Sequence, residues 1–365
     1  MILMNDFKSE PEDLRQREMA AVNRVLHSGW YVLGNEVKQF EEAWAQRCGT
    51  LQAIGVGNGM DAIEIGLRAL DIGIGDEVIT SSMTAFATVL AILRAGAVPV
   101  LADINSDTAL LNIDSVARCL SPRTKAILLV HLYGQVRNMM IWETFCKEKN
   151  LMLLEDCAQA HLAEDNAKIA GSFGKFGAYS FYPTKNLGAI GDAGALVTND
   201  VEVADRSRKL RNYGQSERYH HPELGMNSRM DEIHAAILSE RLSFLKSFTE
   251  TRKNIAETYH QEISNPRIKL LARPLNRANH VYHLFVLSCE ERDRLNSHLT
   301  NKGVATLSHY PIPVHQQPPC LATKIDPLGL SNTEQHSTQC LSIPCHPQML
   351  HSQIEKVIEA LNSFR

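Results

Sequence analysis

The chain has 365 residues, 44% of them hydrophobic and 21% charged, and its 37 Lys and Arg against 41 Asp and Glu give a formal net charge of −4. This is ordinary globular composition, and the length suits two domains or one large domain with an appendage. Because there is no basic excess to hold nucleic acid or an anionic membrane, we expect neither as a partner.

The sequence contains no predicted targeting or membrane segment. Its first 18 residues mix acidic and basic side chains and lack the apolar core of a signal peptide. The most apolar stretch, residues 84–102, is interrupted by Arg94, Gly96 and Pro99 and is too short to cross a bilayer. Eight cysteines occur without a Cys-x-x-Cys pair, which favours reduced thiols over disulfides or structural zinc. We therefore expect a cytoplasmic protein.

Between residues 50 and 200, short apolar runs typical of strands alternate with longer helical patterns. The apolar runs are continuous rather than alternating, which implies strands buried on both faces in a mostly parallel sheet covered by helices. The predicted strands are residues 53–56, 76–81, 98–104, 126–132, 151–155, 178–182 and 195–198, and the predicted helices are residues 62–70, 84–94 and 140–149.

The C-terminal third begins with residues 231–262, where apolar residues in steps of three and four predict one long connecting helix. Ser352 and Glu355 have the spacing of a capping box for the terminal helix. We therefore expect a large α/β domain over residues 1–245 and a smaller α+β domain over residues 246–365. The remaining predicted elements are a strand at 283–288, a helix at 290–302, a loop rich in Pro, His and Gln at 309–319, and a helix at 352–364.

Polar residues stand where predicted strands end. Glu155 and Asp156 close the apolar run at 151–155, and Gln159 and His161 follow them. Ligands of open parallel sheets bind beyond the carboxyl ends of the strands, so a carboxylate there can face a site. An aspartate that caps the next helix is the alternative, and position alone leaves both open. Other polar residues at predicted strand ends are Asp103 and His131.

Lys185 follows the predicted strand at 178–182 and opens a loop, residues 186–194, that contains three glycines. A lysine becomes a nucleophile only where desolvation or a neighbouring cation lowers its pKa enough to supply free amine. A solvated loop lysine is the commoner alternative.

Residues 57–62 (GNGMDA) form a glycine turn before a helical pattern. A helix N-terminus offers unpaired N–H groups to a phosphate, although this turn lacks the signatures of a P-loop or a dinucleotide fold. Together, the phosphate cradle, the strand-end acid Asp156 and the loop lysine Lys185 are the set that a pyridoxal phosphate enzyme needs.

Seven ordered motifs carry a family resemblance. They resemble the sugar-nucleotide aminotransferases of the DegT/DnrJ/EryC1/StrS family, and the match runs from about residue 30 to the C-terminus. The resemblance implies an aspartate aminotransferase-like fold (fold type I), pyridoxal 5′-phosphate as cofactor and a homodimer with shared active sites. The motifs are residues 55–62, 75–79, 130–135, 155–161, 180–188, 225–231 and 309–315.

The resemblance also implies roles for individual residues. Lys185 holds the cofactor aldehyde as an imine and moves the proton between substrate and cofactor. Asp156 pairs with the pyridinium nitrogen, and Gln159 contacts the ring near its phenolic oxygen. The implied phosphate ligands are Met60, Asp61, Ser180 and, from the neighbouring subunit, Asn227; the implied residues of the substrate pocket are Arg229, His309 and Tyr310.

The sequence departs from the family pattern at a few positions. Met60 stands where threonine is commonest, which leaves only a backbone donor. The ring-stacking position is Ala85, with Phe86 beside it, so Phe86 is the aromatic candidate for the cofactor site, and the residue that covers the ring stays open. Ala193 and Leu162 replace glycines. None of these changes removes a catalytic group.

Histidine pairs and one cysteine have other conceivable roles. The histidine pairs lack a carboxylate or cysteine at a recognised ligand spacing, so we expect no metal. Cys157 could be a nucleophile, but a small buried packing residue is the commoner role. The pairs are His220 with His221, His280 with His283, and His309 with His315.

The resemblance implies transamination of a nucleotide-linked keto-sugar with L-glutamate as amino donor, for amino-sugar or surface polysaccharide (O-antigen) synthesis. Lys185 favours amino transfer, since members with histidine there act as dehydratases. The motifs at 184–188 and 309–318 are most like those of enzymes that aminate C3 of dTDP-3-keto-6-deoxyhexoses. The alternatives are amination at C4 of a dTDP- or UDP-4-keto-6-deoxy sugar, and a non-catalytic regulatory relative.

Overall fold

Thirteen strands form three sheets in the computed structural model, which describes all 365 residues. The strands are β1 (Gln52–Val56), β2 (Glu77–Ser81), β3 (Val98–Ala102), β4 (Thr124–Val130), β5 (Met152–Asp156), β6 (Glu164–Asp165), β7 (Lys168–Ile169), β8 (Gly177–Ser180), β9 (Gly194–Thr198), β10 (Lys269–Leu270), β11 (Phe285–Ser288), β12 (Lys324–Ile325) and β13 (Cys340–Ile343).

Twelve α-helices surround these sheets. They are α1 (Glu12–Ser28), α2 (Asn35–Cys48), α3 (Gly59–Ala69), α4 (Phe86–Arg94), α5 (Ile113–Cys119), α6 (Met139–Lys149), α7 (Val201–Leu210), α8 (Glu232–Leu242), α9 (Leu245–Glu262), α10 (Arg292–Asn301), α11 (Ser331–Gln339) and α12 (His351–Asn362).

The largest sheet has eight strands in the order β1-β9-β8-β5-β4-β2-β3-β12. Every neighbouring pair is parallel except the two that β9 makes, with β1 and β8. The predicted α/β class with a mostly parallel sheet is therefore confirmed.

Both faces of this sheet are buried, as its continuous apolar runs indicate. Val78 packs into a cluster of 21 buried residues, whereas the next residue, Ile79, packs into a cluster of 36. Leu154 and Leu153 divide between the same two clusters. Since successive side chains of a strand point to opposite faces, the two clusters are the helix-covered layers on either side of the sheet.

A smaller unit is built on the antiparallel sheet β10-β11-β13 and has its own core of 22 buried residues, which includes residues of α9, α10 and α12. Ile2 belongs to this core, and its N–H donates to the carbonyl of Gly303 at 2.7 Å. Conversely, β12 belongs to the C-terminal part of the chain but pairs with β3 of the large sheet. Ile2 thus packs in the smaller unit and β12 pairs in the large sheet, although a boundary between residues 245 and 246 would assign each to the other domain. That boundary stays a prediction.

The single helix predicted over residues 231–262 is wrong, because the structure has two helices there. The N–H of Ser243 donates to the carbonyl of Glu240 at 3.3 Å, and the Ser243 hydroxyl donates to the same carbonyl at 2.8 Å. The N–H of Phe244 likewise bonds three residues back, to Arg241 at 3.0 Å. This shift to i→i−3 bonding, with a serine hydroxyl competing for the carbonyl, ends α8 before α9 begins.

The capping box predicted at Ser352 and Glu355 is also wrong. Helix α12 begins at His351, so Ser352 already lies inside its first turn. The side chain of Gln353 caps this end instead, since its Oε1 accepts from the N–H of Leu350 at 2.9 Å. The spacing of polar residues does not by itself set where the helix starts.

Helix α11 and strand β13 were not predicted, because the nine residues of α11 (SNTEQHSTQ) have no apolar periodicity. A distant carboxylate caps this helix. Oδ1 of Asp103 accepts from the N–H of Thr333 at 2.8 Å, and Oδ2 accepts from the N–H of Asn332 at 3.0 Å. Asp103 therefore has a structural role at its strand end.

All eight cysteines are free and buried. None of the helices combines the length and the apolar character needed to cross a membrane.

Candidate active site

The site forms around Asp156, the last residue of β5, which is buried beside α4. Oδ2 of Asp156 accepts from the hydroxyl of Thr88 at 2.8 Å, and Oδ1 accepts from the N–H of Ala158 at 3.1 Å. Burial raises the pKa of Asp156, whereas these two hydrogen bonds and the charges of Lys185 and His131 lower it. The carboxylate is thus held in place, with an acceptor position left on each oxygen.

Lys185 lies in the turn after β8, within reach of the charge of Asp156. Its backbone N–H donates to the carbonyl of Tyr182 at 2.8 Å, which fixes the turn. Burial lowers the pKa of Lys185 to about 8, and the opposite charge of Asp156 limits that shift. A larger fraction of free amine is therefore present near neutral pH than on a solvated lysine, which favours the nucleophilic alternative for this residue.

His161, five residues after the end of β5, bonds to the chain on both sides of the turn that contains Lys185. Its Nδ1 accepts from the N–H of Leu187 at 3.0 Å, so its Nε2 carries the proton and donates to the carbonyl of Ser180 at 3.0 Å. Burial lowers the pKa of His161 to about 3, with the charge of Lys185 acting in the same direction. A neutral imidazole thus holds the chain on both sides of the lysine.

The N-terminus of α3 approaches Ser180 closely because Gly59 has no side chain. A Cβ at Gly59 would lie 2.7 Å from the Cβ of Ser180. The cap residue Asn58 accepts from the N–H of Asp61 at 2.9 Å, while the N–H groups of Gly59 and Met60 make no hydrogen bond within the chain. Free N–H donors therefore lie close to Ser180. The N–H of Asp61 already donates to the cap residue Asn58, so a phosphate would have to compete with Asn58 for it.

The carboxylate of Asp61 holds the segment that follows residue 226. The hydroxyl of Ser228 donates to Oδ2 of Asp61 at 2.7 Å and accepts from the N–H of Gly57 at 3.0 Å. Asn227 is exposed next to it. Arg229 donates to Oδ1 of Asn212 at 3.0 Å.

Gln159 connects the strand-end residues to the loop predicted at 309–319. Its Oε1 accepts from the N–H of Tyr133 at 2.6 Å, and its Nε2 donates to the hydroxyl of Tyr310 at 3.1 Å. The hydroxyl of Tyr133 lies 2.5 Å from the carbonyl of His309. Burial lowers the pKa of His309 to about 4 and raises that of Tyr310 to about 12, so both side chains are neutral at neutral pH.

Other strand-end residues serve the fold rather than the site. Glu155 accepts from Nε2 of His131 at 2.9 Å and from three backbone N–H groups, those of Gly171, Phe173 and Gly174. Although His131, Glu155 and Cys157 bring ligand atoms within 4.8 Å of one another, these bonds already engage the carboxylate. Burial raises the pKa of Cys157 well above its ordinary value, which suits packing rather than nucleophilic attack.

Phe86 packs against a separate apolar cluster that contains Val89, Leu101 and Val314. Its predicted position at the cofactor ring stays a prediction, as does the identity of the residue that covers the ring.

Sequence reasoning missed several residues at this site. Thr88 and Tyr133 contact predicted site residues, yet each lies far from them in the chain. His283 is buried with no partner for Nδ1, and Asn186, next to Lys185, leaves its Oδ1 unpartnered while donating to the carbonyl of Val281 at 3.0 Å. Asn186 and Tyr133 lie within the motifs at 180–188 and 130–135, so a closer reading of those motifs could have found them. His283 stood out only as a histidine near His280, and no local signal marks Thr88.

The model of the DegT/DnrJ/EryC1/StrS aminotransferase family matches residues 12–362. A dTDP-3-amino-3,6-dideoxy-alpha-D-galactopyranose transaminase of Aneurinibacillus thermoaerophilus is 44% identical over 359 residues, which cover 96% of this chain and 98% of the relative. A dTDP-3-amino-3,4,6-trideoxy-alpha-D-glucose transaminase of Streptomyces venezuelae is 42% identical over 361 residues, covering 98% and 95%. The crystal structure of S. venezuelae DesV with a ketimine intermediate superposes with a TM-score of 0.95 at 41% identity, covering 99% of this chain and 97% of that chain.

Proposed function

Because this chain belongs to the DegT/DnrJ/EryC1/StrS aminotransferase family, we propose that it transfers the amino group of L-glutamate to C3 of a dTDP-linked 3-keto-6-deoxyhexose. The chain is a pyridoxal phosphate-dependent aminotransferase. The observation that carries the proposal is that the fold brings Lys185, in the turn after β8, within range of the charge of Asp156, whose buried carboxylate is held by Thr88 and Ala158 at the end of β5.

The residues present fit the cofactor. Pyridoxal phosphate supplies an aldehyde that takes up amino groups and a ring that draws electrons away from the bond to be broken. Lys185 offers an amine, Asp156 has an unfilled acceptor position for a ring N–H, and Gly59 and Met60 offer free N–H groups. The close approach of Gly59 to Ser180 places these donors next to a serine, whose hydroxyl would be a further donor to a phosphate.

Each of these residues has a separate task in the proposal. Lys185 would hold the cofactor through its amine and would carry the proton at the reacting carbon of the substrate. Asp156 would accept a hydrogen bond from the ring nitrogen, and its negative charge would favour the protonated form of that nitrogen. Gln159 would orient the edge of the ring through its amide. Its bond to Tyr310 connects that edge to the loop predicted at residues 309–319, here called the substrate loop.

Phosphate binding in the proposal uses Ser180 and the N–H groups at the start of α3. Met60 contributes through its backbone, and Asp61 contributes mainly by holding Ser228. His309 and Tyr310 line the sugar-nucleotide pocket as neutral groups, which can accept and donate hydrogen bonds to sugar hydroxyls without charge. Arg229 supplies positive charge near the phosphates.

The choice of C3 and of a dTDP sugar is supported by the names of two relatives at 42–44% identity, both transaminases of dTDP-3-amino sugars. Amination at C4 uses the same catalytic residues with the sugar turned in the pocket, so it remains the alternative outcome. The intact Lys185 and Asp156 speak against a regulatory relative.

We also propose a homodimer in which Asn227 of a second copy completes the phosphate site. Asn227 is exposed, next to Ser228 of the α3 cradle. Large apolar side chains are exposed on the surrounding segments, including Trp30 at 62%, Tyr219 at 82% and Leu224 at 89%. A bridge between Val32 and Asp231 holds the tryptophan segment beside the start of α8. Exposed apolar surface of this kind is typical of a protein interface.

The test is a substrate panel with purified enzyme, pyridoxal phosphate and L-glutamate. Mass detection of an amino sugar from the dTDP-3-keto-6-deoxyhexose, with ping-pong kinetics, is the expected result. Product only from a 4-keto sugar would move the assignment to C4, and no product from any member of the panel would overturn it. Lys185→Ala should lose turnover and the visible cofactor band, whereas Lys175→Ala should retain both, since Lys175 is a half-exposed lysine paired with Asp200 at 3.6 Å.

A further inference from the structure

Two buried threonines connect the start of α4 to Asp156. Thr84 and Thr88 are 3% and 1% exposed, and their hydroxyl oxygens lie 2.8 Å apart. The hydroxyl of Thr88 is also 2.8 Å from Oδ2 of Asp156. Thr88 lies 68 positions before Asp156 in the chain, so folding alone brings the two together.

Chemistry sets the direction of the two hydrogen bonds. An ionised carboxylate only accepts, so Thr88 donates to Asp156. A hydroxyl has one proton, and the oxygen of Thr88 therefore accepts from Thr84. The two bonds point the same way and reinforce each other in a site of low polarity.

The carboxylate needs this support because its surroundings oppose its charge. Burial raises the pKa of Asp156, and the charged or titratable groups that face it are Lys185 from the β8 turn, His131 from the end of β4, Tyr310 from the substrate loop and Cys157 beside it. Thr88 and Ala158 are the groups of the chain that donate hydrogen bonds to this carboxylate, and both bonds lower its pKa against the effect of burial.

We propose that Thr88, supported by Thr84, is a positioning residue that keeps Asp156 ionised and oriented toward the ring nitrogen of the bound cofactor. The proposal rests on the assignment of a pyridoxal phosphate site around Asp156. Thr88 acts through the carboxylate, and its hydroxyl matters rather than its volume.

Four variants separate the hydroxyl from its packing. Thr88→Val removes the donor at nearly constant shape, Thr88→Ser retains it, and Thr84→Val removes only the second bond. Thr80→Val is the matched control, because Thr80 is also buried and donates a bond of 2.8 Å, but to the carbonyl of Leu128. Two quantities are measured: the apparent pKa of the visible band of the bound cofactor, and the affinity of the apoprotein for pyridoxal phosphate.

A hydrogen bond to a charged group is worth about one to two pKa units, so the loss of Thr88 should raise the pKa of Asp156 by about that much. A ring nitrogen that is less protonated withdraws fewer electrons. We therefore expect Thr88→Val to raise the apparent pKa of the visible band by about half a unit or more and to weaken cofactor binding about tenfold. Thr88→Ser should restore both values, Thr84→Val should shift them less, and Thr80→Val should match the wild type.

Equal spectra for Thr88→Val and the wild type would overturn the inference, as would a Thr88→Ser protein that behaves like Thr88→Val. If Thr88→Val does not fold, Thr84→Val decides. An unchanged apparent pKa of the visible band in Thr84→Val overturns the proposed support of Asp156 through the two threonines, and a raised apparent pKa supports it. A wild-type protein without any visible band would instead refute the cofactor site itself, which distinguishes the two failures.

Discussion

Gly59 offers the sharpest test of the cradle at the start of α3. In Gly59→Ala, the new Cβ would meet three atoms of Ser180: its Cβ at 2.7 Å, its Cα at 3.1 Å and its N at 3.2 Å. Non-bonded carbon atoms prefer separations of about 3.5–4.0 Å, so the helix terminus must move away from β8 by roughly 0.8 Å. Two of the three atoms belong to the backbone of a central strand and cannot swing aside.

The net cost follows from two opposing terms. Alanine gains up to about 1 kcal/mol over glycine in a helix, but overpacking a close contact costs about 1–3 kcal/mol. The steric term wins, and we expect Gly59→Ala to lower the free energy of unfolding by about 1–2 kcal/mol. The displaced N–H groups should also weaken binding of pyridoxal phosphate by about tenfold or more, since misplaced donors lose charge-assisted hydrogen bonds.

Urea unfolding of the apoprotein measures the first effect, and titration with pyridoxal phosphate measures the second. Gly73→Ala is the matched control, because the nearest atom to its Cβ is the carbonyl oxygen of Ala95 at 3.4 Å, an ordinary contact. Wild-type stability together with wild-type cofactor affinity in Gly59→Ala would refute the steric reasoning. A weaker affinity for pyridoxal phosphate with an unchanged free energy of unfolding would show that the start of α3 can move without destabilising the fold. Gly59 would then matter only for phosphate binding.

Three further predictions concern the scaffold and the assembly. His161→Phe should lower the free energy of unfolding by about 2–4 kcal/mol, because two buried backbone groups lose their partner, as urea unfolding would measure. Stability should also fall as pH drops from about 4 toward 2, partly through Asp326, and this part should be absent in Asp326→Asn. Burial raises the pKa of Asp326, but hydrogen bonds from Arg118 and Ser115 outweigh it and lower the pKa from 3.8 to about 2. The stabilisation that Asp326 contributes to the folded state is therefore fully present above pH 3.8, and it is lost as the pH falls through about 2. Finally, Lys185→Ala and Asn227→Ala proteins are mixed in equal amounts and allowed to exchange subunits. Half of the dimers should then be hybrids, and one of the two sites in each hybrid should keep both residues, so the mixture should recover about a quarter of wild-type activity.

Controls separate these effects from general damage. His161→Phe is compared with His27→Phe on the exposed end of α1, which should stay within about 0.5 kcal/mol of the wild type. Asp326→Asn with an unchanged acid transition would contradict the assigned pKa. In the control mixture, Lys175→Ala takes the place of Asn227→Ala. If the Lys185→Ala and Asn227→Ala mixture is no more active than the two variants measured separately, Asn227 acts in the site of its own chain or lies outside the site.

Much of the large sheet could be predicted because its physical cause is local. A strand buried on both faces must be apolar at every position, and the runs at 126–132 and 151–155 show this directly. The antiparallel insertion of β9 between β1 and β8 could not be predicted in the same way, since a buried strand looks alike in either direction. The polar helix α11 was missed for the opposite reason: the carboxylate of Asp103, more than 200 residues away, caps it.

The same division holds in the site. The α/β class can be predicted from the apolar runs, and the aminotransferase family and its cofactor from motifs that resemble the family's and contain Asp156, Lys185 and the glycine turn. The pKa values and orientations of those groups depend on the folded chain. The lowered pKa of Lys185 comes from burial, and the hydroxyl that supports Asp156 comes from Thr88 on another element. Burial and hydrogen bonds between distant segments exist only once the chain has folded, so no local pattern records them.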